Sequence, residues 1–289
     1  MDKHDSRDIH PAEVAFEKSR GRGGGGRRGG KGSDKGSDTQ ISKALSRLLR
    51  HQAENAGIKL DKEGYARLDH VLNWGPLKPI GPSVSDIRRV VQNCEKKRFS
   101  LKPDPSLEPR PDEESDDASH FLIRANQGHS LSLESEHMLA AVDSSSIPPT
   151  VLHGTFFYFW AAILESGGLK KQGRQHIHCT TGTPEDDVVG IRKDAELTIE
   201  IDVAKSMEDG FKWWTSENGY VLTEGNEEGM LPLQYFKEVR GRLRDVGILV
   251  KDGEVVGNLP EGIKMHIPAG KGGRGRGGGG KGRGRGRGR

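Results

Sequence analysis

The chain has 289 residues, is 32% hydrophobic and 30% charged, and carries a formal net charge of +3. That length holds two modest domains, but residues 20–36 and 270–289 are almost wholly Gly, Arg and Lys and cannot bury a core. The first of these tails has six basic residues and one acid and the second eight basic residues and no acid, which leaves about −10 for the rest of the chain.

The folded part is therefore acidic and the basic character lies in flexible ends. Arg-Gly tracts attract nucleic-acid backbones with little sequence preference. An acidic core that acts on RNA must set local arginines at its site, because its global field repels phosphate. The two cysteines, Cys94 and Cys179, form no CxxC and no metal-ligand cluster, which argues against a disulfide scaffold or structural zinc. Apolar runs of membrane length and a secretory leader are both missing. An intracellular protein, nuclear or cytoplasmic, is expected, with no membrane partner.

In chain order, the tail 1–36 gives way to a helix. Ser37 and Gln40 have capping-box spacing, and Ile41, Leu45, Leu48 and Leu49 share one helical face. The helix is expected to end near Arg50-His51, closed by Gly57. Asp61 to Gly64 reads as a turn, and Leu68, Val71 and Leu72 as a short segment. Ile87, Val90 and Val91 mark a further helix after Ser83. Arg98 to Leu101 and Phe121 to Ala125 read as paired strands around a long acidic loop, 102–119, expected to be a disordered insertion. Three helices and a closing hairpin over 37–130 suggest a winged-helix-like lobe.

Residues 131–150 read as a linker, and a second lobe is expected over 151–245. Val151-Leu152-His153 is a strand running into a Gly154-Thr155 turn, and Phe156 to Ser166 is an apolar helix stopped by Gly167-Gly168. His176-Ile177-His178 reads as a short strand, and Thr183-Pro184 as a helix start. Leu197, Ile199, Ile201 and Val203 alternate with polar residues as in a half-buried strand, and Tyr220-Val221-Leu222 is another. A C-terminal extension (246–269) and the tail 270–289 follow. The fold class is α+β, with no sign of a parallel doubly wound sheet. Gly21, Gly23 and Gly26 satisfy GxGxxG but follow no strand and open no helix, so they carry no dinucleotide fingerprint.

The chemistry concentrates in a few short segments. Arg124, Gly128 and His129 lie within eight residues: a planar fork of donors, a position where backbone can approach a ligand, and an imidazole. Arg50-His51, Arg98-Phe99, His153-Gly154-Thr155 and Arg174 to His178 flank them. Together they suggest an enzyme that grips phosphate and a nucleotide.

Six segments in order, SKALSRLLRH (42–51), KKRF (96–99), IRANQGHS (123–130), LHGT (152–155), GRQHIH (173–178) and the ENGYVLT around Gly219, resemble the NAD-dependent RNA 2′-phosphotransferases of tRNA splicing. The resemblance covers roughly residues 40–240. It implies a winged-helix lobe joined to an ADP-ribosyltransferase-like lobe, with the active site between them. NAD is implied as co-substrate, without a metal. The implied substrate is RNA with an internal 2′-phosphate, such as ligated tRNA, and the protein is expected to be a monomer. The RNA 2′-phosphate displaces nicotinamide, and a neighbouring ribose hydroxyl then takes the phosphate, leaving 2′-OH RNA and ADP-ribose 1″,2″-cyclic phosphate.

By motif match, Arg50, His51, Arg98 and Arg174 correspond to the family's essential set. The three arginines would hold the phosphate, and His51 would transfer a proton or bond the phosphate. His129, Ser130, His153, Gly154, Thr155 and His178 would line the dinucleotide site. Arg124 would contact phosphate or brace the lobe boundary. Tyr220 and Val221 stand where protein-modifying relatives carry a catalytic glutamate, which suits a nucleophile that is already anionic. The long acidic insertion and Cys179-Thr180 depart from the family pattern. An ADP-ribosyltransferase acting on nucleic-acid ends and a non-catalytic RNA-binding adaptor remain alternatives at this point.

Overall fold

A computed structural model describes residues 33–131, 133–182 and 191–265. Helix α1 (Ser33–Arg47) runs on as a wide π turn over Leu48–Gln52. The helix is already formed at Ser33, so Ser37 lies inside it and is not its cap. Ile41, Leu45, Leu48 and Leu49 are fully buried, as their spacing predicts. A two-residue strand, β1 (Ala66–Arg67), leads into α2 (Leu68–Leu72). At α3 (Val84–Gln92) Ser83 and Asp86 form a reciprocal capping box, with bonds of 3.1 and 2.9 Å.

Strands β2 (Phe99–Pro103) and β3 (Phe121–Ala125) pair antiparallel, and β1 adds to β3 in the order β1-β3-β2. The acidic loop between β2 and β3 is tied down, contrary to expectation. Arg88 sits over the Phe121 ring, 5.1 Å from its centroid, and donates from Nη2 to the Ser115 carbonyl. Asp104 is buried and accepts from the Ser106 amide and hydroxyl at 2.9 and 2.7 Å. A buried aromatic platform and local Asx turns thus satisfy a segment whose composition alone suggests no order.

The expected linker forms α4 (Ser135–Met138) and an edge strand, β4 (Ala140–Ala141). After it come β5 (Val151–Thr155), α5 (Phe157–Glu165), β6 (Gly168–Lys170), β7 (Ile177–Thr181), β8 (Leu197–Ile201), α6 (Val203–Glu208), β9 (Trp214–Thr215) and β10 (Tyr220–Thr223). The remaining strands are β11 (Met230–Pro232), β12 (Phe236–Gly241), β13 (Ile248–Lys251) and β14 (Glu254–Val255). Nine of these strands form one sheet, ordered β14-β13-β12-β8-β5-β7-β10-β9-β4, and β11 pairs with β6. All the pairs are antiparallel, in keeping with an α+β chain.

Gly154-Thr155 is not a turn: β5 continues through both, opposite Thr198 and Leu197 of β8. Strand β8 stops at Ile201 because Asp202 caps α6, accepting from the Lys205 amide at 3.0 Å. Helix α5 closes on Gly167, whose φ of +77° needs glycine. The Thr183-Pro184 helix start, residues 1–32 of the first tail and the tail 270–289 lie outside the described residues, whereas the last four residues expected in the first tail, 33–36, are already helical.

One detail of register positions the site. Strand β5 pairs with β7 only at Val151↔Thr181 and Leu152↔Thr180, yet stays paired with β8 as far as Thr155↔Leu197. Strand β7 meanwhile stays paired with β10 as far as Ile177↔Thr223. The two central strands therefore part beyond Leu152, and His153 to Thr155 face Ile177 to Cys179 across a cleft.

Candidate active site

The part of the chain built on the core of Ile41 to Leu131 carries Arg50 and His51. Both lie on the π turn, which the fully buried Leu48 and Leu49 anchor in the core. The segment after β3 runs along this turn: the Ser130 amide donates to the Arg50 carbonyl at 3.0 Å, and Ser130 Oγ lies 2.9 Å from His51 Nδ1. Gly128 has φ +88°, and a Cβ there would sit 3.5 Å from Cζ, Nε and Nη1 of Arg50. The guanidinium thus packs flat on a backbone conformation that only glycine adopts without strain.

The nine-stranded sheet contributes His153 on β5 and His178 on β7. His153 Nδ1 lies 2.8 Å from the His178 carbonyl, bridging the parted strands, and His178 Nδ1 lies 3.0 Å from the His176 carbonyl. A carbonyl only accepts, so both rings carry their proton on Nδ1. Nε2 of His178 is shielded from solvent and has no hydrogen-bond partner; the same is true of His129 Nε2. Burial, with the Arg174 cation next in effect and Arg50 also contributing, holds His178 well below the usual imidazole range. Burial and the neighbouring Arg50 and His51 push His129 down to about 3. Both rings are therefore neutral near pH 7.

Arg50, His51 and Ser130 meet on the Gly128 segment, and the Arg50 and Arg174 cations both bear on His178. Arg174 is exposed on the loop into β7, and the next residue, Gln175, donates its amide to the His129 carbonyl at 2.9 Å. Arg98 is tied by its backbone to the segment after β3, its carbonyl accepting from the Asn126 amide at 2.9 Å, while its Nη1 contacts Cys94 Sγ at 3.3 Å.

Arg124 is engaged elsewhere. Its Nη1 donates to the Glu63 carbonyl at 3.1 Å and its Nη2 to Glu217 at 2.9 Å, with the Tyr65 ring 4.7 Å away. These contacts tie β3 to Glu63 and to Glu217, on the turn before β10. Thr155 is buried and continues the strand; Gly154 is covered on its Cβ side, where a methyl would come within 2.6 Å of Ile191 Cγ2.

Reasoning from sequence missed a second polar group at the mouth of β7. His176 Nε2 lies 2.9 Å from Ser135 Oγ, which donates to Glu224 Oε1 at 2.8 Å, and Gln175 Nε2 donates to the Leu133 carbonyl. Burial pushes His176 down to about 4 despite the nearby Glu224. His176 was visible in the GRQHIH segment, but nothing local marks Ser135 or Glu224. Among the described residues no group of three or more His, Cys, Asp or Glu could hold a metal ion, and no helix is long and apolar enough to cross a membrane.

Residues 36–225 match the family described as RNA 2′-phosphotransferase, Tpt1/KptA. The chain is 37% identical to "tRNA 2′-phosphotransferase 1" of Mus musculus over 74% of its own length and 81% of that protein. It is 39% identical to the protein of the same name from Bos taurus, over 69% and 74%. A "Putative tRNA 2′-phosphotransferase" of Schizosaccharomyces pombe is 38% identical, over 74% and 52%.

Proposed function

The chain belongs to the RNA 2′-phosphotransferase (Tpt1/KptA) family and is an enzyme, and we propose that its site passes an internal RNA 2′-phosphate, such as that of ligated tRNA, to NAD. In this reading the lobe of residues 37–130 is a winged helix. The larger lobe is ADP-ribosyltransferase-like, and the protein acts as a monomer. The observation that carries the reading is the Arg50 guanidinium and the His51–Ser130 pair packed on the Gly128 segment, whose His129 carbonyl accepts from Gln175, the residue after Arg174.

The residues present fit a dinucleotide. The parted strands leave a slot, and His129 and His178 each keep a shielded, unpartnered Nε2. The bound nucleotide supplies a sugar carbon from which nicotinamide can leave. His153, the Gly154 backbone, Thr155 and His178 hold that end. Imidazoles locked with Nδ1 protonated accept hydrogen bonds from ribose hydroxyls through Nε2.

Arg50, Arg98 and Arg174 hold the 2′-phosphate. Planar forks suit its oxygens, and they stabilise the charge that builds when a ribose hydroxyl attacks phosphorus. His51, oriented by Ser130, is placed to take or give the proton of that hydroxyl at Nε2. Arg124 acts as a brace that keeps the two lobes in register. Binding at the tails raises the local concentration of RNA that the acidic core would otherwise repel.

The test is product analysis. The full chain, mixed with a 2′-phosphorylated RNA and NAD, is expected to give 2′-OH RNA and ADP-ribose 1″,2″-cyclic phosphate, in chelator as well as in magnesium, since the arginines supply the charge. NAD-independent dephosphorylation would overturn the reading. ADP-ribose left attached to an RNA end would favour the ADP-ribosyltransferase alternative.

A further inference from the structure

The turn that carries Arg98 is held from both lobes at once. Lys97 has φ +40°, a left-handed conformation that a lysine rarely adopts. Three consecutive carbonyls around it each accept a hydrogen bond. Asn218 Nδ2 donates to Lys96 O, Asn126 Nδ2 to Lys97 O, and the Asn126 amide to Arg98 O, all at 2.9 Å. Both side-chain amides are themselves oriented. Ser100 Oγ lies 2.7 Å from both Asn126 Oδ1 and Glu217 Oε2. Ser216 Oγ donates to Asn218 Oδ1 at 2.8 Å, which fixes the face that Asn218 turns to Lys96.

Asn126 follows β3 in the first lobe, whereas Asn218 sits on the turn between β9 and β10 in the second. Strand β10 in turn pairs with β7, placing Leu222 opposite His178.

We propose that Asn126 and Asn218 are positioning residues for Arg98, and that the Asn218 bond to Lys96 sets Arg98 in register with the cleft between β5 and β7. This goes beyond the proposed function but rests on it, since it takes Arg98 as a phosphate ligand. The strained Lys97 backbone is kept only while both amides are in place, so Arg98 is set only when the lobes are docked. Misplacing a reacting group by about 1 Å can cost on the order of 100-fold in rate.

The discriminating variant is Asn218→Asp in the full chain. It keeps the size and the Ser216 contact but removes the donor to Lys96. We expect its single-turnover rate at saturating NAD and RNA to fall about tenfold or more, with KM for NAD little changed. Amide hydrogen exchange over residues 95–99 should speed up. In an Arg98→Ala background the same substitution should cost almost nothing further, because its effect passes through Arg98.

An Asn218→Asp loss that persists undiminished without Arg98 would overturn the proposal, as would unchanged exchange over 95–99. Should Arg98→Ala itself keep the full rate, the phosphate-holding role given to Arg98 falls instead. The exchange measurement then decides by itself whether the clamp exists.

Discussion

Replacing Gly154 with alanine tests whether the bare position in β5 serves the nucleotide or the protein's own packing. A Cβ at residue 154 would lie 2.6 Å from Ile191 Cγ2 and 3.3 Å from Ala195 Cβ, about 1 Å inside an ordinary carbon–carbon contact. Ile191 cannot swing away easily, since it packs with Leu152 and Ala195 in a closed cluster of three. Overpacking of this kind costs about 1–3 kcal/mol. Gly154→Ala should therefore lower the urea midpoint without changing the slope of the transition. Ile191→Ala alone empties the same space and should cost about 2 kcal/mol, the low end for burying one less isoleucine. The double variant should recover about 1–3 kcal/mol relative to the sum of the two. Because the new methyl points at Ile191, the double variant should also regain the wild-type KM for NAD in a single-turnover assay. A double variant as stable as expected, but with KM for NAD still raised tenfold, would refute this reasoning and show that ligand must reach the Cβ side of residue 154.

Three further outcomes are expected. Stability should fall with acid already between pH 6.5 and pH 5. His129 and His176, held at about 3 and about 4, stay neutral in the fold, whereas unfolded imidazoles protonate below about 6.5. These two rings cost nothing above about pH 6.5. Below it, each histidine costs up to about 1.4 kcal/mol per pH unit until its folded value is reached; a flat urea midpoint between pH 7 and pH 5 would contradict this. Alkylation of the native protein should label Cys94 and spare Cys179, whose buried thiol is pushed up to about 12. A bulky adduct on Cys94 should slow turnover by displacing Arg98, and mass spectrometry showing equal labelling of both thiols would rule this out. Removing residues 270–289, with their eight basic side chains, should weaken RNA binding and flatten its salt dependence while sparing single-turnover chemistry at saturating RNA. A drop in that saturated rate would assign the tail to catalysis.

Much of the architecture was legible because local signals agreed with tertiary ones. The spacing of Ile41, Leu45, Leu48 and Leu49 marked a buried helical face, Ser83 announced its helix, and the alternation through Ile201 marked a central strand. Gly154-Thr155 misled because Gly-Thr reads as a turn in isolation, and only pairing with Thr198 and Leu197 keeps it extended. The acidic loop misled for the opposite reason, since its order comes from Arg88 and the Phe121 ring, far away in sequence. The motif segments brought Arg50, His51, Arg174, His129 and His178 into view. The contacts of Glu217 and Asn218 did not stand out, because their partners lie 93 and 122 residues away. Ser135 and Glu224 were invisible for the same reason.

The parting of β5 and β7 gives the cleft the mechanics of a wedge. Its apex is the two-residue ladder at Val151 and Leu152, and its faces are strands that β8 and β10 hold from outside. Opening such a wedge requires the sheet itself to twist, and the His153 Nδ1 bond to the His178 carbonyl resists that motion like a stitch across the gap. Changes in the surrounding loops should leave its width alone, whereas a substitution at the apex, where Leu152 faces Thr180, should alter the spacing of every group farther out.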